Sequence, residues 1–184
     1  MSRFTALLDA NVLYPSVLRD VLIRLAGAGV FRARWTDRIL DEVFTNLVSN
    51  RPDLDPARLQ RTRELMRKAV DDCLVTGYEG LIEGLSLPDP DDRHVLAAAI
   101  KSGVHVIVTD NRRDFPQKIL SVYGIKAQGA DEFLCHQIDL HGMRVHQAVA
   151  CAAAACTRPP RTIDDVLDGL SKAGAPVAAG LLRR

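Results

Sequence analysis

Short apolar runs alternate with helix-length stretches through residue 137, and this alternation constrains the fold more than any other feature of the chain. Residues 4–8 are apolar and end at Asp9, as a buried strand would. Val17, Val21, Leu22, Leu25 and Ala28 recur at helical spacing, and Gly29 stops that helix. A short strand is expected over 31–35. Thr36 then caps a helix carrying Ile39, Leu40, Val43, Phe44 and Leu47 on one face. Arg51-Pro52-Asp53 breaks the chain, and Pro56 opens a helix to about Asp72. The pattern predicts a brief strand at 73–76, a short helix at 78–85 and a helix from Asp91 or Asp92 to Ile100, ended by Gly103. Residues 104–108 are the strongest strand, rich in β-branched side chains. A helix near 116–123, a strand near 125–127 and a helix over 131–137 complete the series. Such alternation implies an α/β fold, with a parallel sheet between two helical layers.

From about His141 the character changes. The chain becomes alanine-rich and offers no strand. Helices are expected at 143–156 and, capped by Thr162, at 162–170, with Pro159-Pro160 between them. The sequence thus divides into an α/β domain over 1–138 and an all-helical extension over 139–184.

At 184 residues the chain is long enough for one domain with a proper core plus such an extension. Its net charge of +1 provides no global field for nucleic acid, so any basic surface must be local. Cys73, Cys135, Cys151 and Cys156 form no C-x-x-C pair and have no histidine cluster beside them. Neither a zinc site nor a disulfide framework is expected, and a reducing cytoplasm fits best. Residues 1–10 read as a strand holding an acid, not as a signal peptide. The longest uncharged apolar run, 148–157, is too short to span a bilayer.

In open parallel sheets, ligands bind outside the carboxyl ends of the strands. Several acids fall there or close by. Asp9 follows the first strand, and Asp110, Asn111 and Asp114 follow the 104–108 strand. Asp89, Asp91 and Asp92 precede a helix, and Glu42 lies in the helix after the second strand. A lone strand-end Asp is more often a cap or a turn residue. Several on one edge repel one another by roughly 4 kcal/mol per pair at an effective dielectric of 20. A divalent cation relieves that repulsion, and carboxylate-rich oxygen sites suit Mg²⁺ or Mn²⁺.

These residues resemble the PIN-domain family in four places. Asp9-Ala10-Asn11 matches its D-x-N at the first strand end. Ile39-Leu40-Asp41-Glu42-Val43 matches its I-L-x-E-V-like stretch. Asp92-Arg93-His94-Val95-Leu96-Ala97-Ala98-Ala99 matches D-x-x-V-x-A-x-A. Thr109-Asp110-Asn111-Arg112-Arg113-Asp114-Phe115 matches T-x-N-x-x-D-F, and Asp131-Glu132-Phe133-Leu134 is similar to its closing helix. The resemblance covers about 4–138, and its strength lies in the order and spacing of motifs that are individually loose.

The resemblance implies a three-layer α/β/α fold and metal-dependent hydrolysis of RNA phosphodiesters. It places Asp9, Glu42, Asp92 and Asp114 around Mg²⁺ or Mn²⁺. It further implies an endoribonuclease toxin of a VapBC-type toxin–antitoxin pair, with RNA as substrate and an antitoxin protein as partner. Asn11 and Thr109 would order the loop around the acids. Asn111, Asp110 or Asp114 remain alternatives for the fourth site group. Arg112 and Arg113 are candidates for phosphate contact. The basic stretch Arg58, Arg61, Arg63, Arg67 and Lys68 is a weaker one, and His94 is expected at the surface. The extension would bind the antitoxin, pair subunits in a homo-oligomer or cover the active edge.

A rival enzyme class and a nucleotide-binding reading both lack their residues. An aspartyl-phosphate phosphatase needs a second Asp where this chain has Asn11, and nucleotide-binding G-x-G-x-x-G and G-K-[ST] loops are missing. A PIN-like binding scaffold without activity remains the non-enzymatic alternative.

Overall fold

A computed structural model describes residues 4–184; residues 1–3 of the expected N-terminal strand lie outside the described residues. Among the described residues, four strands form one sheet: β1 (Thr5–Leu8), β2 (Arg32–Arg34), β3 (Val106–Val108) and β4 (Lys126–Gln128). The order is β2-β1-β3-β4 and every pairing is parallel, with Ala6 opposite both Ala33 and Val106 and Ile107 opposite Ala127. Every residue of β1 and β3 is buried, as uninterrupted apolar strands covered on both faces must be. From β1 the chain moves to β2 on one side, whereas β3 lies on the other. The carboxyl ends of β1 and β3 therefore flank a topological switch point, where a crevice opens.

The helices follow from local chemistry. α1 (Ala10–Leu13) starts directly after β1, and α2 (Ser16–Gly27) follows Pro15. In α3 (Asp37–Asn50), the Thr36 hydroxyl accepts from the Ile39 amide at 3.0 Å. α4 (Pro56–Ala69) begins on an Asp55 cap and a proline in its first turn, and α5 (Arg93–Ser102) stops at Gly103, whose φ of 60° favours glycine. α6 (Gln117–Leu120) leads into β4.

Several expected elements differ in detail. Residues 73–76 contribute a single parallel bridge, Leu74 to Trp35, closed by Trp35 N–H to the Cys73 carbonyl and Val75 N–H to the Trp35 carbonyl. Residues 79–84 form a 3₁₀ helix with no buried side chain, so no apolar face pulls them into an α-helix. A 3₁₀ turn at Pro90–Asp92 precedes α5, and the helix expected at 116–123 ends as α6 with a 3₁₀ turn at Ser121–Tyr123.

The helices expected at 131–137 and 143–156 both form and meet end to end at a kink at His141 (φ −143°, ψ 33°); together they make up α7 (Ala130–Ala155). The expected division at 138/139 falls inside it. Nothing between 138 and 142 stops a helix outright: there is no proline, and Gly142 costs only about 1 kcal/mol. α8 (Ile163–Lys172) starts on a reciprocal capping box of Thr162 and Asp165, and α9 (Pro176–Leu181), which periodicity does not reveal, closes the chain.

α7, α8 and α9 pack on one another, and α7 and α8 pack on α2. Their buried residues Val145, Val149, Leu167 and Leu170 join the core that contains Leu7, Leu22 and Trp35. Phe133 of α7 meets Phe31 edge-on at 5.0 Å. The closest approach is at Gly169, where an added Cβ would lie 3.0, 3.1 and 3.3 Å from three Val17 side-chain atoms. Val17 is stiff at χ1 and cannot swing aside. Gly169→Ala is therefore expected to destabilise the protein by about 1–3 kcal/mol despite alanine's better helix propensity. A denaturant melt giving equal or greater stability would refute that packing.

Candidate active site

Four segments converge at the switch point because four chain paths end there. β1 delivers Asp9, β3 delivers Thr109 to Asn111, α3 delivers Glu42 and the turn before α5 delivers Asp89 to Asp92. A cavity of about 780 Å³ opens between them, with Asp9, Asn11, Glu42, Asp92 and Asn111 in its wall.

Asp9 is the most deeply placed acid, 4% exposed. One carboxylate oxygen accepts from the Ala10 amide at 2.7 Å, at the start of α1. The other accepts from Asn11 Nδ2 at 2.7 Å and from the Thr109 hydroxyl at 2.8 Å. Thr109 also accepts from Asn11 Nδ2 (2.8 Å) and from the Asn111 amide (3.1 Å), so its donor and both acceptor directions are used. Asn11 Oδ1 takes the Asp110 amide at 3.1 Å. Asn111 Nδ2 reaches Asp92 Oδ2 at 3.3 Å. An unbroken chain of hydrogen bonds thus runs from Asp9 through Thr109 and Asn111 to Asp92.

Asp92 stands in a field of like charge. Oxygens of Asp89, Asp92 and Asp114 all lie within 4.8 Å of one another, a spacing at which one cation can meet all three. Burial, then the charges of Asp9, Asp89 and Asp114, pushes the Asp92 carboxyl up to about 6. Asp9 is raised as well, chiefly by burial, with Glu42 adding to it. No ammonium or guanidinium neutralises the Asp89, Asp92 and Asp114 group among the described ion pairs. Repulsion of this kind, left in place by the fold, suits a hard divalent cation with oxygen ligands.

Glu42 sits across the cavity in a different setting. Its Oε1 is 2.8 Å from His94 Nε2 and 3.6 Å from Arg38 Nε. His94 is 1% exposed, which corrects the expectation of a surface position. α5 buries all of 94–99 against the sheet and its neighbours, so residue 94 points inward with the apolar ones. Nε2 carries the proton donated to Glu42, and Nδ1 is buried without a partner among the described residues.

The remaining candidates lie apart from the acids or at their edge. The Asp110 carboxylate accepts the Ala130 amide at 2.9 Å, capping α7. Arg112 pairs with Glu132 of α7 at 3.2 Å, and exposed Arg113 has no ion pair among the described residues. In α4, Arg63 binds Asp41 at 2.5 Å and Asp37 at 3.1 Å, and Arg67 also pairs with Asp37, so part of that basic face is neutralised by α3.

Sequence reasoning placed Asp89 near the edge but outside the metal set, and it did not single out Tyr14, Arg38, Asn46 or Asn50, all four of which line the cavity. A signal was present for the α3 residues. Positions 38, 42, 46 and 50 follow one another at i, i+4 and share the face that carries Glu42.

Residues 5–113 match the family model described as a PIN domain, and residues 130–184 match that described as the VapC50 C-terminal domain. The chain is similar to "Putative ribonuclease VapC50" of Mycobacterium tuberculosis (strain ATCC 25618 / H37Rv), 38% identical over 96 residues. That match covers 52% of this chain and spans only about half, 56%, of the relative's length. No solved structure matches.

Proposed function

The chain belongs to the PIN-domain family, and on that premise we propose that it is a metal-dependent endoribonuclease. The observation carrying this reading is the unneutralised acidic group at the switch point, with Asp92 pushed up to about 6 by its neighbours. In this reading Asp9, Glu42, Asp92 and Asp114, joined by Asp89, hold Mg²⁺ or Mn²⁺, with Glu42 reaching the ion from the opposite wall of the cavity. When bound, such an ion polarises a phosphoryl oxygen and lowers the pKa of water.

The chain's own groups do the rest. Asp9 is held by three hydrogen bonds, so it stays oriented without reorganisation. Asn111 ties Asp92 to that network, keeping two acids in fixed relation. His94 fixes the Glu42 carboxylate through Nε2. Arg38, beside Glu42, offers a guanidinium for a phosphate of the substrate. Arg112 and Arg113 offer further cations at the rim, Arg112 on release from Glu132.

The biological reading is a toxin restrained by an antitoxin protein, supported by the matched VapC50 C-terminal domain and the name of the relative. The four cysteines are unpaired, which suits a reducing cytoplasm. None of the helices searched is long and apolar enough to cross a membrane. The division into a nuclease domain over 1–138 and a helical extension over 139–184 is part of the same proposal, although the two share α7.

Cleavage of mixed RNA with Mg²⁺, Mn²⁺ or EDTA tests the activity. Metal-dependent cutting supports it; no cutting in any metal favours a binding scaffold. The His94 contact gives a second test. His94→Ala is expected to weaken Mn²⁺ binding by roughly 10–100-fold, the usual cost of losing a partner that orients a ligand. His94→Gln, which places an amide N–H near the position of Nε2, should recover part of it. Calorimetric Mn²⁺ titration reads both, and unchanged affinity in the alanine variant would remove His94 from the site.

A further inference from the structure

The acids account for only part of the cavity. Its α3 wall continues past Glu42 to Asn46 and Asn50, about 6 and 12 Å further along the helix axis, while Arg38 lies about 6 Å the other way. Asn50 Nδ2 donates to the Tyr14 hydroxyl at 3.4 Å, which places Tyr14 at that far end. Tyr14 packs partly against the core. Its backbone is anchored by buried Arg19, whose Nη1 donates to the Leu13 carbonyl at 2.7 Å and the Tyr14 carbonyl at 3.1 Å. A pinned aromatic residue thus faces two amide side chains and ends a row that passes the acids and finishes on a cation.

We propose that Tyr14, Asn46 and Asn50 form a subsite that receives one unpaired base of single-stranded RNA beside the scissile phosphate, with Arg38 on the phosphate at the other side of Glu42. The inference rests on the ribonuclease reading and adds the substrate's form and a source of its sequence preference. Aromatic rings stack on a base face regardless of its identity, and carboxamides supply both donors and acceptors for its edge. A base inside a duplex has both its faces and its pairing edge occupied, so the subsite selects unpaired RNA. The volume of about 780 Å³ lies in the range of pockets that hold small organic ligands. A purely electrostatic grip does not suit this wall: among the described residues Arg38 is its single cation.

Two measurements on the full chain test the subsite. In the first, wild type, Asn46→Ala and Asn50→Ala cleave a randomised single-stranded RNA pool with Mn²⁺, and the cut sites are sequenced. Asn46 and Asn50 are exposed, so both variants should fold. The expected result is a base preference at one position next to the cut that flattens in Asn46→Ala, with cutting of other sites retained. In the second, fluorescence anisotropy measures binding of a short single strand and of the matching duplex to Asp92→Asn protein, with Tyr14 intact, Tyr14→Leu or Tyr14→Phe. Tyr14→Leu should weaken the single strand roughly 10-fold, the loss of one stacked base. Tyr14→Phe should bind within about 2-fold of the parent, and duplex affinity should not change. Wild type that cuts RNA while the asparagine variants keep the same preference and Tyr14→Leu keeps its affinity overturns the subsite and leaves the ribonuclease reading standing. Wild type that cuts nothing overturns the ribonuclease reading, and the anisotropy then decides the subsite alone: a loss confined to the single strand supports it. Equal loss for strand and duplex, or no RNA binding at all, overturns it and leaves the wall to a protein partner.

Discussion

Asp92→Asn is expected to abolish metal-dependent cleavage, by roughly 10³-fold or more, while making the metal-free protein more stable. The loss follows from the position of Asp92, whose oxygen lies within 4.8 Å of those of Asp89 and Asp114 and which Asn111 links to Asp9. Several kcal/mol of charge stabilisation by a bound cation correspond to that factor. The gain comes from the same crowding. Asp92 is raised from 3.8 to about 6 in the folded protein. Between those values the folded state keeps a proton that the unfolded chain releases. Stability therefore falls as pH rises through that window, and the deficit persists above it. Asparagine carries no charge and avoids the deficit. Because Asp92 is only half-buried, solvent screening reduces the effect to about 1 kcal/mol, or ~2–4 °C in melting temperature at pH 7. A variant that loses activity and melts lower would mean that Asp92 supports the fold and not the site.

A divalent ion should reverse that instability in the wild type. At a free concentration 100 times its dissociation constant, an ion that binds only the folded state adds about 2.7 kcal/mol, which raises the melting temperature of a chain this size by ~5–10 °C. Most of the gain should vanish in Asp92→Asn and in Asp114→Asn. It should also shrink at pH 5, where a proton occupies Asp92 and competes with the ion. Arg112→Ala, on the exposed Glu132 pair, should leave it intact. A melting temperature indifferent to both Mg²⁺ and Mn²⁺ would remove the cation from the proposal and favour the scaffold.

The fold class was legible because apolar runs, glycines and caps act locally. Residues 5–8 and 106–108 could hide their side chains only in a sheet covered on both faces, and Thr36, Gly29 and Gly103 mark helix ends by their own hydrogen bonding or φ. Asp9 was placed at the sheet edge because it directly follows a buried strand, whereas Asp92 was singled out from Asp89 and Asp91 only by the resemblance of 92–99 to the D-x-x-V-x-A-x-A motif. Elements without an apolar face were less well read. The bridge at Leu74 and the 3₁₀ helix at 79–84 depend on neighbours that periodicity does not encode. Nor did composition reveal that helix continues past 138 to the kink at His141, since no residue there forbids a helix.

What the sequence by itself determined, then, is the four strands of the sheet, though it also offered a fifth at 73–76, most of the helices and the presence of acids at the carboxyl edge. What only the tertiary structure decided is how side chains from distant segments meet. His94 is within hydrogen-bond reach of Glu42, 52 positions away, because α5 buries residue 94 against its neighbours. Asp110 turns to α7 while Asn111, next to it, turns to Asp92. Tyr14, Arg38, Asn46 and Asn50 share one cavity because β1 and β2 bring α1 alongside α3. Secondary structure responds to neighbours along the chain, whereas a site is made of groups adjacent only in space, and their pairing depends on the packing of the whole core.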